Sequence, residues 1–469
     1  MTRVAGVDSS TSATKVVVRD LDHGRVVASG TRPHPPTQPP RSEQDPSVWW
    51  SAFEGAWSDA GLPEVDAIAV AGQQHGLVVL DAGCRVVRPA KLWNDTESAA
   101  DAAWLIDQLD DGAAAWAAAC GSVPVAAFTI AKLAWLHRSE PASWGRLAHV
   151  VLPHDWMTAQ LTGRLVTDRG DASGTGYWSP GEEAYRFDLL AIVDADRDWT
   201  TAVPEVLCPL ERAGEWRGSV VAPGTGDNMA GALGIGLRQG DVAVSIGTSG
   251  TVYTVSDRPT ADPSGAVAGF ADATGRFLPL VCTLNATKVT DAVRRLLAVD
   301  HASFDDLALT SPPGANGLTL LPYLDGERTP NRPGATGTLA GLRTDVDRGD
   351  LARAAVEGVV CGLLDGLDAL STFAPCGGRL ILVGGGARSA AIRQVVADLA
   401  GREVVVPRAD EQVAAGACVQ AAAVLTGDDP ADIADTWDLR VGEAVEPGPG
   451  AAAADQVRSA YAALRDASR

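Results

Sequence analysis

The segment A-P-G-T-G-D-N-M-A-G-A-L-G-I-G, residues 222–236, gathers the residue types that could move a proton. Pro223 and Gly224 set a tight turn, and Asp227 then stands at the start of a helix of small residues. Free amides and the helix dipole favour a carboxylate there as an anion, so it can stay ionised at neutral pH and accept a proton from a substrate hydroxyl. Asp227 is therefore the candidate general base, although a plain helix-capping aspartate would look the same. The Ala/Gly helix behind it permits close approach of another segment. Two further stretches have the character of anion cradles. Residues 4–20 (V-A-G-V-D-S-S-T-S-A-T-K-V-V-V-R-D) and 242–257 (V-A-V-S-I-G-T-S-G-T-V-Y-T-V-S-D) each read as a β-branched strand, a Gly/Ser/Thr turn and a second strand. Small residues at a hairpin tip let backbone N–H groups and hydroxyls converge on a phosphate. Such turns are also common for structural reasons alone. The repetition half a chain apart points to two related domains facing one polyphosphate.

The elements that must position these residues alternate between strand-like and helix-like patterns. Asp45-Pro46 is an N-cap and first-turn proline opening the amphipathic run 48–57. Residues 67–71 form an apolar strand that ends in Gly72-Gln73-Gln74-His75-Gly76, and residues 77–81 form the next strand. Helices follow near 96–109 and 129–138, then a strand at 150–153 and a helix opened by Asp155. Beyond a junction expected at Arg238-Gln239-Gly240-Asp241, the pattern predicts a helix over 350–373 and a strand over 380–383. Gly384-Gly385-Gly386, a helix over 389–400, a strand over 403–407 and a helix from Gln412 complete it. This is a mixed α/β class, with domains over 1–238 and 239–440 and a tail over 441–469.

At 469 residues the chain is too long for one ordinary domain. A net charge of −21 without any basic cluster argues against nucleic acid or an anionic membrane as partner and leaves small-molecule chemistry. Lysines are confined to positions 15, 91, 132 and 288, which singles out Lys15 within a phosphate turn. The seven cysteines show no C-x-x-C pair and read as buried thiols in a reducing compartment. The N-terminus passes directly into a strand and no run of about 18 apolar residues occurs, so a cytoplasmic protein without signal peptide is expected. A Walker A loop, a G-x-S-x-G elbow, an H-E-x-x-H helix, an EF-hand loop and a full G-x-G-x-x-G spacing are all absent.

Taken together, these residues resemble the FGGY carbohydrate kinases. The motifs run in family order: G-Q-Q-H-G (72–76), L-W-N-D (92–95), G-D-N-M-A-G (226–231), S-I-G-T-S-G (245–250), L-P-Y-L-D-G-E-R-T-P (321–330) and L-V-G-G-G-A-R-S (382–389). The Gln-His-Gly turn and G-E-R-T-P look like the branch that phosphorylates D-xylulose. The resemblance implies two actin-like (ribonuclease H-like) domains with a nucleotide cleft between them, and ATP with Mg²⁺ as cofactors. It implies Asp8 at the metal, Thr11, Ser12 and Lys15 facing the transferred phosphate, and Gly247, Thr248 and Ser249 on the phosphates from the second hairpin. Gly385, Gly386 and Ala387 would lie beside the adenosine, where a side chain would collide. Asp227 matches the base, and Gln74, His75, Trp93, Asp227 and Asn228 match the acceptor site. A 2-ketopentose phosphorylated on O5 cannot close its furanose ring, so such a site must hold an open chain whose hydroxyls each need a partner. The expected partners are a sugar and ATP, with a homodimer as a possible assembly. A kinase for ribulose, a deoxyketose or a polyol such as glycerol, and a non-catalytic actin-like ATP-binding protein, are the alternatives. Asn285 and Lys288 stand where the family usually has small uncharged residues near the nucleotide.

Overall fold

The structure, a computed structural model, describes residues 2–408 and 411–468. The chain forms two compact units, one from the described residues of Met1–Leu237, Asp257–Leu278 and Ala409–Arg440, the other from Arg238–Ser256, Pro279–Arg408 and Val441–Arg469. The first break falls after Leu237, but two later segments return to the first unit, whereas the sequence reading gave everything over 239–440 to the second domain.

In the first unit the strand Arg3–Ser9 pairs antiparallel with Ala13–Asp20 on one side and parallel with Ala67–Gly72 on the other. Ala67–Gly72 is apolar and buried at every position, as expected for a parallel strand covered on both faces. The helix Pro46–Asp59 covers one face. Asp45 caps it by accepting from the Ser47 amide at 2.9 Å, and Trp49, Phe53, Ala56 and Trp57 form its buried stripe. Gln412–Thr426 covers the other face at backbone contact. A Cβ placed on Gly6 would lie 2.0 Å from the Ala414 carbonyl oxygen, one on Gly416 1.7 Å from that of Ala230, and one on Gly234 1.8 Å from that of Gln412. The close approach expected for the small-residue helix Asp227–Gly234 is thus made by a segment from far along the chain.

Pro153–Thr162 starts two residues before the expected Asp155, because proline fits the first helical position. Asp155 instead reaches back to accept from the Leu152 amide at 2.7 Å. The helix Gly112–Cys120 has no clear amphipathic pattern and was not anticipated.

In the second unit Val242–Ile246 pairs antiparallel with Gly250–Thr254 and parallel with Leu380–Val383. Val404–Pro407 continues the sheet in parallel, with Gly442–Val445 antiparallel beside it. The helix Arg348–Ser371 packs close enough that a Cβ on Gly358 would meet the Leu320 carbonyl oxygen at 2.3 Å. Cys120, Cys282, Cys361 and Cys418 are buried free thiols and Cys376 is half-buried, but Cys84 and Cys208 are exposed in connecting segments; uniform burial was the wrong expectation. Among the described residues no helix is long and apolar enough to cross a membrane.

Candidate active site

Asp8 lies near the end of the central strand, beside Ala71 of the parallel neighbour and across from Lys15. It is buried, and its Oδ1 has no hydrogen-bond partner. Burial pushes its pKa up to about 6, with Lys15 working against the rise and Glu411 adding to it. The turn Gly72–Gly76 leaves the adjacent strand end and starts with Gln73 donating its amide to the Ser9 carbonyl at 3.1 Å. Gln73, Gln74 and His75 are all buried. His75 takes a left-handed φ of 64°. Its Nδ1 lies 2.8 Å from the Gly174 carbonyl and its ring packs against Phe128 and Phe270. The His75 carbonyl accepts from Lys132 Nζ at 3.0 Å and from Thr129 Oγ1 at 3.3 Å, which holds the strained turn from behind.

Gly226 is the residue before the helix, and Asp227 is its first member rather than its cap. Asp227 Oδ1 accepts from the Asn228 amide at 2.9 Å and from Asn228 Nδ2 at 3.1 Å, and the same Nδ2 donates to Gln74 Oε1 at 2.6 Å. A Cβ on Gly226 would meet Gln74 Cγ at 2.6 Å, so the two turns touch. The helix start is not the only influence on the charge of Asp227. Burial, then the like charges of Asp8 and Asp171, push its pKa up to about 7.

Trp93 Nε1 donates to Thr11 Oγ1 at 2.8 Å, and Thr11 donates to Gln73 Oε1 at 3.3 Å. Thr11 is thereby tied to the Gln73 turn. Ser12 is exposed at the hairpin tip. Lys15 Nζ pairs with Glu411, so an anion on this hairpin competes with a carboxylate for that amine.

The sequence reading missed the layer underneath. His154 is fully buried, with Nδ1 2.9 Å from Asp171 Oδ2 and Nε2 3.1 Å from Asp155 Oδ1 and 3.6 Å from Asp168 Oδ1. Burial disfavours its charge, but the surrounding aspartates outweigh burial and raise its pKa to about 9. His154 packs under both turns: a Cβ on Gly72 would meet His154 Cβ at 2.9 Å, and one on Gly224 would meet the ring at Cδ2 at 2.7 Å. Asp168 accepts from Thr225 Oγ1 at 2.7 Å, fixing the approach to Asp227. The spacing of these acids carries no motif; of the set only Asp155 draws attention in the sequence, as a helix opener.

In the second unit the tip Gly247–Ser249 is closed by the Gly247 amide donating to the Ser249 carbonyl at 2.9 Å, and Thr248 is exposed. Gly384 has φ 84°, and a Cβ on Gly386 would meet Ile246 Cγ2 at 2.4 Å, so packing against the second hairpin already requires these glycines. Gly385 alone has nothing within 4 Å of such a Cβ, while Ala387 is buried and donates its amide to Gly384 at 3.1 Å. Asn285 is buried, and Lys288 pairs with Asp325 at 3.2 Å.

Both halves match family models of phosphotransferases. Residues 3–236 match the N-terminal domain, and residues 242–425 the C-terminal domain, of the FGGY family of carbohydrate kinases. The chain belongs to this family, and is a carbohydrate kinase whose substrates are a sugar and ATP. It is 49% identical over 455 residues to the xylulose kinase of Streptomyces rubiginosus, covering 94% of this chain and 92% of that one, with the same figures for the xylulose kinase of Streptomyces coelicolor. The crystal structure of xylulose kinase from Bifidobacterium adolescentis superimposes with a TM-score of 0.87 at 42% identity, covering 99% of both chains.

Proposed function

We propose that this enzyme transfers the γ-phosphoryl group of ATP to the 5-hydroxyl of D-xylulose, giving D-xylulose 5-phosphate and ADP. The carrying observation is the bonded set Gln74–Asn228–Asp227, which puts a carboxylate beside polar groups suited to an open-chain polyol; the likeness to xylulose kinases supports the choice of sugar. Gln74, His75, Trp93 and Asn228 bind and orient the acceptor. Asn228 occupies Asp227 Oδ1, which leaves Oδ2 to take the proton as the sugar oxygen bonds to phosphorus and the bond to the ADP oxygen breaks. In the second unit the Thr248 and Ser249 amides of the hairpin tip supply donors to phosphoryl oxygens. The unpartnered, buried Asp8 Oδ1 is a hard oxygen that suits Mg²⁺, which when bound would neutralise phosphate charge.

ADP release with Mg·ATP, measured against D-xylulose, D-ribulose, L-ribulose, glycerol and gluconate, tests the assignment. D-xylulose is expected to give the highest kcat/KM. A different preferred acceptor would overturn the sugar and keep the kinase, and no stimulated turnover would overturn both.

The pH profile follows from the same carboxylate. Asp227 acts only when unprotonated, so kcat/KM should fall as pH drops through about 7. An acid limb at the ordinary carboxylate value of about 4 would overturn the raised pKa of Asp227, and an Asp227→Asn variant that keeps the limb would remove it as the titrating base.

A further inference from the structure

We infer that Glu327 is a positioning residue for the second phosphate hairpin, acting through the segment Leu284–Thr287. Glu327 is 3% exposed and its carboxylate is held by neutral N–H donors. The Leu284 and Arg328 amides donate to Oε1 at 2.6 and 2.7 Å, and Asn285 Nδ2 donates to Oε2 at 2.8 Å. Asn285 Nδ2 also reaches the Gly326 carbonyl at 2.7 Å, so the side chain is locked from two sides. The next two residues grip the hairpin tip. The Ala286 amide donates to the Thr248 carbonyl at 3.2 Å, and the Thr287 amide and hydroxyl both donate to the Gly247 carbonyl at 2.9 Å.

The chain of bonds therefore runs from a buried carboxylate, through one short segment, to the backbone of Gly247 and Thr248. A tip that binds polyphosphate through backbone N–H groups works only if those groups already point at the ligand, because reorienting them on binding would cost affinity. Turning the Gly247 and Thr248 carbonyls toward residues 286–287 fixes the peptide planes of the tip. Burying Glu327 raises its pKa, and the donors around it are what keep a carboxylate tolerable there. A carboxylate in such a place, without an acceptor substrate of its own, is explained by the two amides and one carboxamide it organises.

This inference rests on the assignment of the tip to nucleotide binding, so its test measures nucleotide directly. Calorimetric binding of Mg·ADP and steady-state kinetics are compared for the wild type, Glu327→Gln, Asn285→Ala and the double variant. Each single variant is expected to weaken Mg·ADP binding and raise KM for ATP by about tenfold while KM for the sugar stays within about twofold. The double variant should lose little more than either single one, since both cut the same chain of bonds. Lower thermal stability with unchanged nucleotide affinity, or equal losses for sugar and nucleotide, would overturn the positioning role. A wild-type protein that binds no Mg·ADP would overturn the nucleotide assignment itself, whereas one that binds it but prefers another sugar leaves the inference standing.

Discussion

Asp227→Asn is expected to lower kcat by at least about a hundredfold, the scale of losing general base assistance, while Mg·ADP affinity changes by less than about twofold. Asparagine keeps the volume and can still accept from the Asn228 amide through its oxygen, so the turn survives. It cannot take the sugar proton. The residual activity should lose the acid limb near pH 7. Rapid-quench measurement of the first turnover separates this loss from product release, and a variant with near-normal turnover would remove the role.

Gly416→Ala is expected to be the most damaging single methyl group in the first unit. The new Cβ would sit 1.7 Å from the Ala230 carbonyl oxygen, which is backbone and cannot swing aside. The helices Asp227–Gly234 and Gln412–Thr426 must separate, at a cost of about 1–3 kcal/mol for overpacking. Asp227 begins the displaced helix, and a shift of about 1 Å at a reacting group costs about a hundredfold in rate. Chemical denaturation and kcat should therefore fall together. Gly377→Ala, where nothing lies within 4 Å, is the control and should change stability by less than about 0.5 kcal/mol. A Gly416→Ala protein with wild-type stability and turnover would contradict the backbone contact.

Local signals were the legible ones. Asp45-Pro46 marks a helix start, β-branched runs mark both hairpins, and Ala67–Gly72 reads as a buried strand, because each pattern is complete within a few residues. Of the site, Gln74, Asp227 and Asn228 could be named from sequence, and the structure joins them by hydrogen bonds. What the sequence hid depends on distant neighbours. Nothing near Lys15 announces Glu411, nothing near Thr11 announces Trp93, and nothing near His154 announces Asp171. The elevated pKa of Asp227 belongs to the same category: a helix start alone favours the anion, and only the surrounding burial and the acids Asp8 and Asp171 reverse the sign.

The return of Gln412–Thr426 to the first unit has a consequence for how the protein is made. During synthesis the central strand emerges from the ribosome early, but the helix that packs against Gly6 and Gly234 leaves the exit tunnel roughly 400 residues later. Until then one face of the Arg3–Ser9 strand and the back of the Asp227 helix stay uncovered. The half that is translated first is thus among the last to be finished, and nascent chains spend most of their elongation time with an apolar sheet face available to chaperones.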